Sequence, residues 1–405
     1  MDLRNIPGSH PGNNSLYIHI PFCQSKCSYC DFYSEPNVSV EIQECVVSGI
    51  LDEISGYVDV LEINSIETVF IGGGTPSALD AGVFKRLMQG VSERLPHTVR
   101  EWTIEANPET VTEAFLDTAG EFGCTRLSLG IQSFDDRLLA ILGRRAGQKE
   151  IFGAIERINK KWKGEVSGDI ITGIPSQTQA EANDDITRLL SLRWDHYSMY
   201  SLTLEPDTPL FDTIHSGKLE MTPAEILELH WFKTVQLLLG RGYTQYEISN
   251  YAKPGFECRH NMRYWTMEPY IGVGPGAVST LPGKNNTIVR IHNLPSVHGY
   301  IQSRQDREKM NHEIVSPKEF LLENLMMGFR LGAGIQKKVF QQRFTVPLDE
   351  IVPEMWKTWK KNNMACDADD AWKLTARGRY LLDSLLYEAA EQLRKAGPVK
   401  LAFWG

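Results

Sequence analysis

The sequence predicts an α/β fold, a partial six-stranded (β/α)6 barrel followed by a small, mainly helical C-terminal domain. Two features of its patterning carry that expectation. Six short β-rich runs alternate with helix-patterned stretches up to about residue 245. Beyond that point the alternation stops, and from Ser316 onward helical spacing dominates.

The six runs are LYIHI (16–20), ETVFIGG (67–73), REWTIEAN (100–107), RLSLGIQ (126–132), VSGDIITGIP (166–175) and DHYSMYSLT (195–203). Between the first two, apolar residues fall at 42, 46, 47, 50, 51, 54, 58 and 61, the spacing of a helix with one buried face. Serial β-α units imply parallel strands joined by right-handed crossovers, for which an open or partial barrel is the natural solution. A closed eight-stranded barrel would need two more units. A stretch rich in Gly, Pro and Asn then runs from KPGFECRHN to about Asn293 and contains the glycine-rich turn GVGPGAVS (272–279). The next helix opens at Ser316-Pro317-Lys318-Glu319, a capping box with proline at the first helical position. The expected division is a core at 1–245, a connecting region at 246–305 and a C-terminal helical domain at 306–405.

With 405 residues, 42% hydrophobic and 23% charged, the chain has the composition of an ordinary globular protein. No stretch reaches the roughly 18 apolar residues of a membrane-spanning helix. The start, MDLRNIPGSHPGNNS, has neither the basic nor the apolar segment of a secretory signal, so a cytoplasmic location is expected. A net charge of −9 excludes a general nucleic-acid binder, because phosphate binding needs clustered Lys and Arg. Seven cysteines, an odd number, read as thiols and ligands rather than as a disulfide framework. Cys45, Cys124, Cys258 and Cys366 are expected to be buried thiols.

Directly after the first run comes CQSKCSYCDF, with Cys23, Cys27 and Cys30 at C-x3-C-x2-C spacing. In parallel α/β barrels, chemistry is placed at the C-terminal ends of strands. A structural zinc loop would require a fourth Cys or His nearby, and none lies at the expected spacing. An iron-sulfur site with three protein ligands leaves one metal position open to a small molecule.

YIHIPFCQSKCSYCDF resembles the signature of radical S-adenosylmethionine enzymes, specifically the oxygen-independent coproporphyrinogen oxidases and their HemW relatives. The resemblance implies a radical-SAM barrel and a [4Fe-4S] cluster on Cys23, Cys27 and Cys30. It also implies S-adenosyl-L-methionine (SAM) chelating the fourth iron. It extends to Tyr17, Tyr29, Gly73, Gly74, Thr75, Glu105, Gln132, Arg144 and Asp169, which match the family's cofactor-binding positions. Ser201 and Val278 are looser matches. The glycines let backbone approach a ligand and are expected to leave amide donors free. The acidic groups suit ribose hydroxyls and an ammonium, and Arg144 suits a carboxylate.

Within this family, oxidases decarboxylate coproporphyrinogen III, whereas HemW proteins bind heme and pass it to acceptor proteins. Oxidases carry a further cysteine two residues after the third, where this chain has Phe32. They also carry an N-terminal arm of several tens of residues, where only 22 residues precede Cys23. HemW proteins carry H-N-x-x-Y-W, matched by His260-Asn261-Met262-Arg263-Tyr264-Trp265. Imidazole is a standard heme ligand and aromatic rings suit a porphyrin face, which points to His260. Without that match, such a histidine is more often a packing residue. Cys258 is an alternative thiolate.

The function implied is a heme chaperone carrying a SAM-coordinated [4Fe-4S] cluster, with coproporphyrinogen oxidation or another radical-SAM tetrapyrrole reaction as the alternative. The resemblance implies heme and heme-accepting proteins as partners, membrane-bound respiratory enzymes among them, with a peripheral place at the membrane and a cluster-dependent homodimer both compatible.

Overall fold

The computed structural model describes residues 14–96, 99–303 and 311–402. Residues 1–13, most of the stretch read above for a secretory signal, lie outside the described residues. The six expected runs form the strands β1 (Asn14–Ile20), β2 (Ile66–Gly73), β3 (Glu101–Ala106), β4 (Arg126–Gln132), β5 (Glu165–Thr172) and β6 (His196–Ser201). They pair in sequence order, each parallel to the next.

Period-two alternation sorts their side chains. Leu16 and Ile18, Val69 and Ile71, Trp102 and Ile104, and Leu127 and Leu129 face outward into one large core beneath the helices. Helix Val40–Val60 contributes Val46, Val47, Ile50 and Ile54 to that core, the face its spacing predicts. The opposite faces of the strands carry polar groups into the barrel interior.

The sheet has nine strands rather than six. Ile271–Val273 pairs parallel to the outer edge of β1. Asn250–Ala252 pairs antiparallel to β6, and Thr244–Gln245 follows it. The expected connector at 246–305 is therefore built into both edges of the sheet. Strands of two or three residues are too short to show a period in the sequence, so their membership rests on backbone pairing alone.

A second core gathers Trp356, Trp359, Trp372, Phe320, Phe329 and Phe344. It lies among helices Pro317–Gly328, Pro353–Lys361 and Leu382–Lys395. The capping box forms as expected: Glu319 N donates to Ser316 Oγ at 3.3 Å, and Ser316 N donates to Glu319 Oε2 at 2.9 Å. Two small antiparallel sheets also occur in the C-terminal half, 278–282 with 288–292 and 311–315, and 335–336 with 371–374 and 365–367. The C-terminal core docks on the sheet edge through Arg330, which donates twice to Glu247 Oε2 at 3.1 and 3.0 Å. Cys124 and Cys258 are buried as expected. Cys45 and Cys366 are exposed, because each falls on the outward side of its helix or strand.

Candidate functional site

The cysteine loop leaves the C-terminal end of β1 and is tied to its surroundings by backbone. Ser28 N donates to Leu142 O at 3.0 Å, Ser28 Oγ to Ile141 O at 2.8 Å, and Leu210 N to Ser28 O at 2.8 Å. Thr75 Oγ1 lies 3.5 Å from Cys23 Sγ, and Arg144 Nη1 lies 3.7 Å from Cys27 Sγ. Asn107 joins these two contacts: its Nδ2 donates to Thr75 Oγ1 at 3.0 Å, and its Oδ1 accepts from Arg144 Nη2 at 3.0 Å. Burial raises the Cys27 thiol, with Arg144 pulling it back. Burial pushes Cys30 up to about 11. Metal binding here must therefore displace protons.

Among the described residues, no three His, Cys, Asp or Glu side chains converge closely enough to hold a single ion. A tetrahedral zinc needs that convergence, whereas in a cluster each thiolate binds a different iron. Arg144 Nε is buried without a partner, a donor left over beside the thiols. The residues present fit a cluster with an anionic small ligand next to it.

The other expected cofactor positions gather at the same end of the sheet. Gly73 has φ +104°, and a Cβ there would lie 2.5 Å from the His19 ring. A Cβ on Gly74 would lie 2.7 Å from Phe22 O and 2.8 Å from Ile20 O. The expectation of free amides is corrected: Gly73 N donates to Glu105 Oε2 at 3.1 Å, Gly74 N to Ile20 O at 2.8 Å, and Thr75 N to Phe22 O at 2.7 Å. The glycines serve close packing that locks the end of β2 onto the start of the cysteine loop.

Burial, and then the Asp169 carboxylate, push Glu105 up to about 8. Asp169 is also raised by burial, against hydrogen bonds from Ser128 Oγ at 2.9 Å and Ser167 Oγ at 3.3 Å. Gln132 ends β4 at φ +68° beside a register shift in the pairing with β5. Tyr17 bonds His19 Nδ1 at 3.0 Å, and burial raises Tyr29 near Arg144 and the thiols. Ser201 is exposed at the end of β6, and Val278 begins the strand 278–282.

Two residues of this site were not singled out from the sequence, His19 and Asn107. His19 Nε2 bonds Tyr33 O at 3.0 Å, holding the far side of the cysteine loop. Both follow the pattern already used: each is a polar residue within two positions of a cofactor match, His19 in YIHI and Asn107 after Glu105 in EAN.

The HNMRYW motif lies at the opposite end of the strands. Its helix, Arg259–Trp265, is capped by the start of β3: Glu101 accepts from Arg259 N and His260 N, both at 2.8 Å, and from Cys258 Sγ at 3.4 Å. His260 is 1% exposed. Its Nδ1 bonds Thr68 Oγ1 at 2.9 Å and its Nε2 bonds Tyr264 Oη at 3.0 Å. Thr68 donates its own proton to Ser15 Oγ, so the network assigns Nδ1–H as donor to Thr68 and Nε2 as acceptor from Tyr264. Burial, with the Arg263 charge behind it, pushes the imidazole down to about 3. The imidazole is thus buried, and the lone pair that a heme iron would take is engaged by Tyr264. Cys258, likewise buried, is pushed up to about 12.

Residues 17–189 match the radical SAM superfamily, and residues 315–381 match the HemN C-terminal domain. The chain superposes on the radical SAM enzyme coproporphyrinogen III oxidase HemN of Escherichia coli with a TM-score of 0.78 and 18% identity, covering 95% of this chain and 90% of that one. Fold and site together define a radical SAM protein, and that class implies SAM and a [4Fe-4S] cluster. The similarity is finer than the class. The chain is 34% identical to heme chaperone HemW of Bacillus subtilis over 91% of its own length and 96% of the relative's. It is 33% identical to heme chaperone HemW of Escherichia coli, covering 92% and 97%. The chain belongs to the HemW heme chaperone family.

Proposed function

We propose that this protein is a heme chaperone, binding heme and passing it to acceptor proteins, with a [4Fe-4S] cluster and SAM held at the C-terminal ends of the barrel strands. The observation that carries the reading is the relationship to HemW chaperones over nine-tenths of the chain. Phe32, exposed beside the cysteine loop where an oxidase continues to cysteine, agrees with it. When bound, the cluster and SAM supply one-electron chemistry. Cys23, Cys27 and Cys30 would hold the cluster, Arg144 would face the ligand's carboxylate, and Glu105 and Asp169 its hydroxyl and ammonium groups.

Heme ligation by His260 requires the Tyr264 hydroxyl to leave Nε2. On this reading, Tyr264→Phe frees that lone pair and strengthens heme binding, while His260→Ala loses it. Unchanged heme retention by His260→Ala removes His260 as the ligand. Acceptors at a membrane, a peripheral location and a cluster-dependent homodimer belong to the same proposal; among the described residues, no helix is long and apolar enough to cross a membrane. The deciding experiment is anaerobic reconstitution followed by parallel assays of heme transfer to an apo acceptor and of coproporphyrinogen conversion. Conversion without transfer overturns the proposal in favour of an oxidase.

A further inference from the structure

A closed (β/α)8 barrel fills its interior with branched apolar side chains. Here the interior is polar and borders a cavity of about 240 Å³, running from Gly73 and Glu105 at the cluster end to Cys258 and Asn261 at the motif end. Two hydrogen-bonding groups at the motif end have no partner among the described residues, Arg126 Nη2 and Thr103 Oγ1. Thr103 and Arg126 are directly paired across β3 and β4, so their side chains leave the sheet on one face, next to each other. Arg126 is 1% exposed, and only its Nη1 side is met, by Glu165 Oε2 at 2.7 Å and Phe256 O at 3.1 Å.

A buried donor left unmade costs about 1–3 kcal/mol. Two such groups, on residues that line the same cavity from paired strand positions, describe a site for an acceptor. The guanidinium favours a charged one, since hydrogen bonds between ions are the stronger kind. Of the carboxylates near the guanidinium, Glu165 is held on Nη1 and Glu101 accepts from the amides of Arg259 and His260; the acidic groups that line the cavity, Glu105 and Asp169, stand further toward the cluster end. Glu105 lies two residues beyond Thr103, roughly 7 Å along β3. Asp169 lies four residues beyond Glu165, the strand partner of Arg126, and is turned to the hydroxyls of Ser128 and Ser167. The space is below the roughly 300–1,000 Å³ of pockets that enclose drug-sized molecules, which excludes a whole porphyrin.

We propose that the barrel floor binds the carboxylate of a short aliphatic acid, one oxygen on Arg126 Nη2 and the other on Thr103 Oγ1. The source is a free acid or a single propionate arm of a tetrapyrrole; the chemistry recognised is the same. The carboxylate site does not rest on the heme-carrier reading: propionate binding is measured without heme, and heme enters only to tell the two sources apart.

The test uses the full chain after anaerobic cluster reconstitution, titrated with isotope-labelled propionate and followed by NMR. Saturable binding at one site per chain is expected. Thr103→Val keeps the side chain's shape and removes its hydroxyl, so affinity falls at least about tenfold, the loss of one charge-assisted bond. Arg126→Gln is expected to abolish binding, but it also strands Glu165; Thr103→Val keeps the test decisive if that variant does not fold. Absence of saturable binding by the folded parent, or equal binding by Thr103→Val, overturns the proposal. So does a crystal soaked in propionate that shows only a water between the two side chains. Displacement of propionate by added heme assigns the carboxylate to a tetrapyrrole arm, and simultaneous binding assigns it to a free acid.

Discussion

Thr68 and His260 share a 2.9 Å hydrogen bond at one end of β2, while the other end of the same strand, at Gly73, is locked to Glu105 beside the cysteine loop. Gly73 lies five positions beyond Thr68, roughly 17 Å of extended chain. The HNMRYW segment and the cysteine loop thus occupy opposite ends of one barrel, joined by a polar interior.

Replacing His260 is expected to cost stability as well as any heme contact. His260→Ala strands the Thr68 and Tyr264 hydroxyls in the core, a loss of about 1–3 kcal/mol measurable by urea unfolding. The imidazole is depressed to about 3 in the folded chain, against about 6.5 when unfolded. The unfolded state therefore binds the proton first. Its stabilisation is complete above about pH 6.5 and is lost as pH falls toward 3, so His260→Ala should flatten that part of the stability profile. Heme retention is to be compared at equal folded fraction.

Arg144 and Asn107 are expected to govern cluster loading without being ligands. Arg144→Leu removes the cation beside Cys27, and Asn107→Leu breaks the link between the Cys27 and Cys23 contacts. Losing such orienting partners typically costs about 10–100-fold in metal affinity. Iron content per chain after reconstitution should fall for both variants, while circular dichroism of the barrel stays at the parent's level.

At the proposed SAM site, Glu105 is expected to give binding a pH dependence. Raised to about 8, it holds its proton at neutral pH, and a cationic ligand must expel that proton to pair with the carboxylate. Apparent affinity should rise by up to about tenfold per pH unit from pH 6 and level off above 8, as single-proton linkage requires. Calorimetry across that range should show the slope, and Glu105→Gln should remove it.

Gly74→Ala should damage the site through backbone contact alone. Its added methyl would lie under 3 Å from Phe22 O and Ile20 O, which have no flexible side chain to move aside. Overpacking of this kind costs about 1–3 kcal/mol. Lower thermal stability together with poor cluster incorporation is the expected pair of results; an unchanged melting temperature would refute the packing role assigned to this glycine.

The sequence by itself determined the six strands, the first helix and the Ser316 capping box, because each is a local pattern that repeats often enough to be read. It also singled out the three cysteines of the loop and most of the polar residues that gather around them, since strand ends bring such residues together in any parallel barrel. Only the tertiary structure decided the edges of the sheet, where strands of two or three residues have no period to reveal them. It alone showed that the amides of Gly74 and Thr75 are spent on the loop from β1, and that Asn107 bridges two thiol contacts. The same is true of His260. Its letters match a ligand motif, but burial and the paired hydroxyls of Thr68 and Tyr264, distant or adjacent in sequence, decide that its lone pair is occupied. Hydrogen bonds made across the barrel have no signature in the local order of residues.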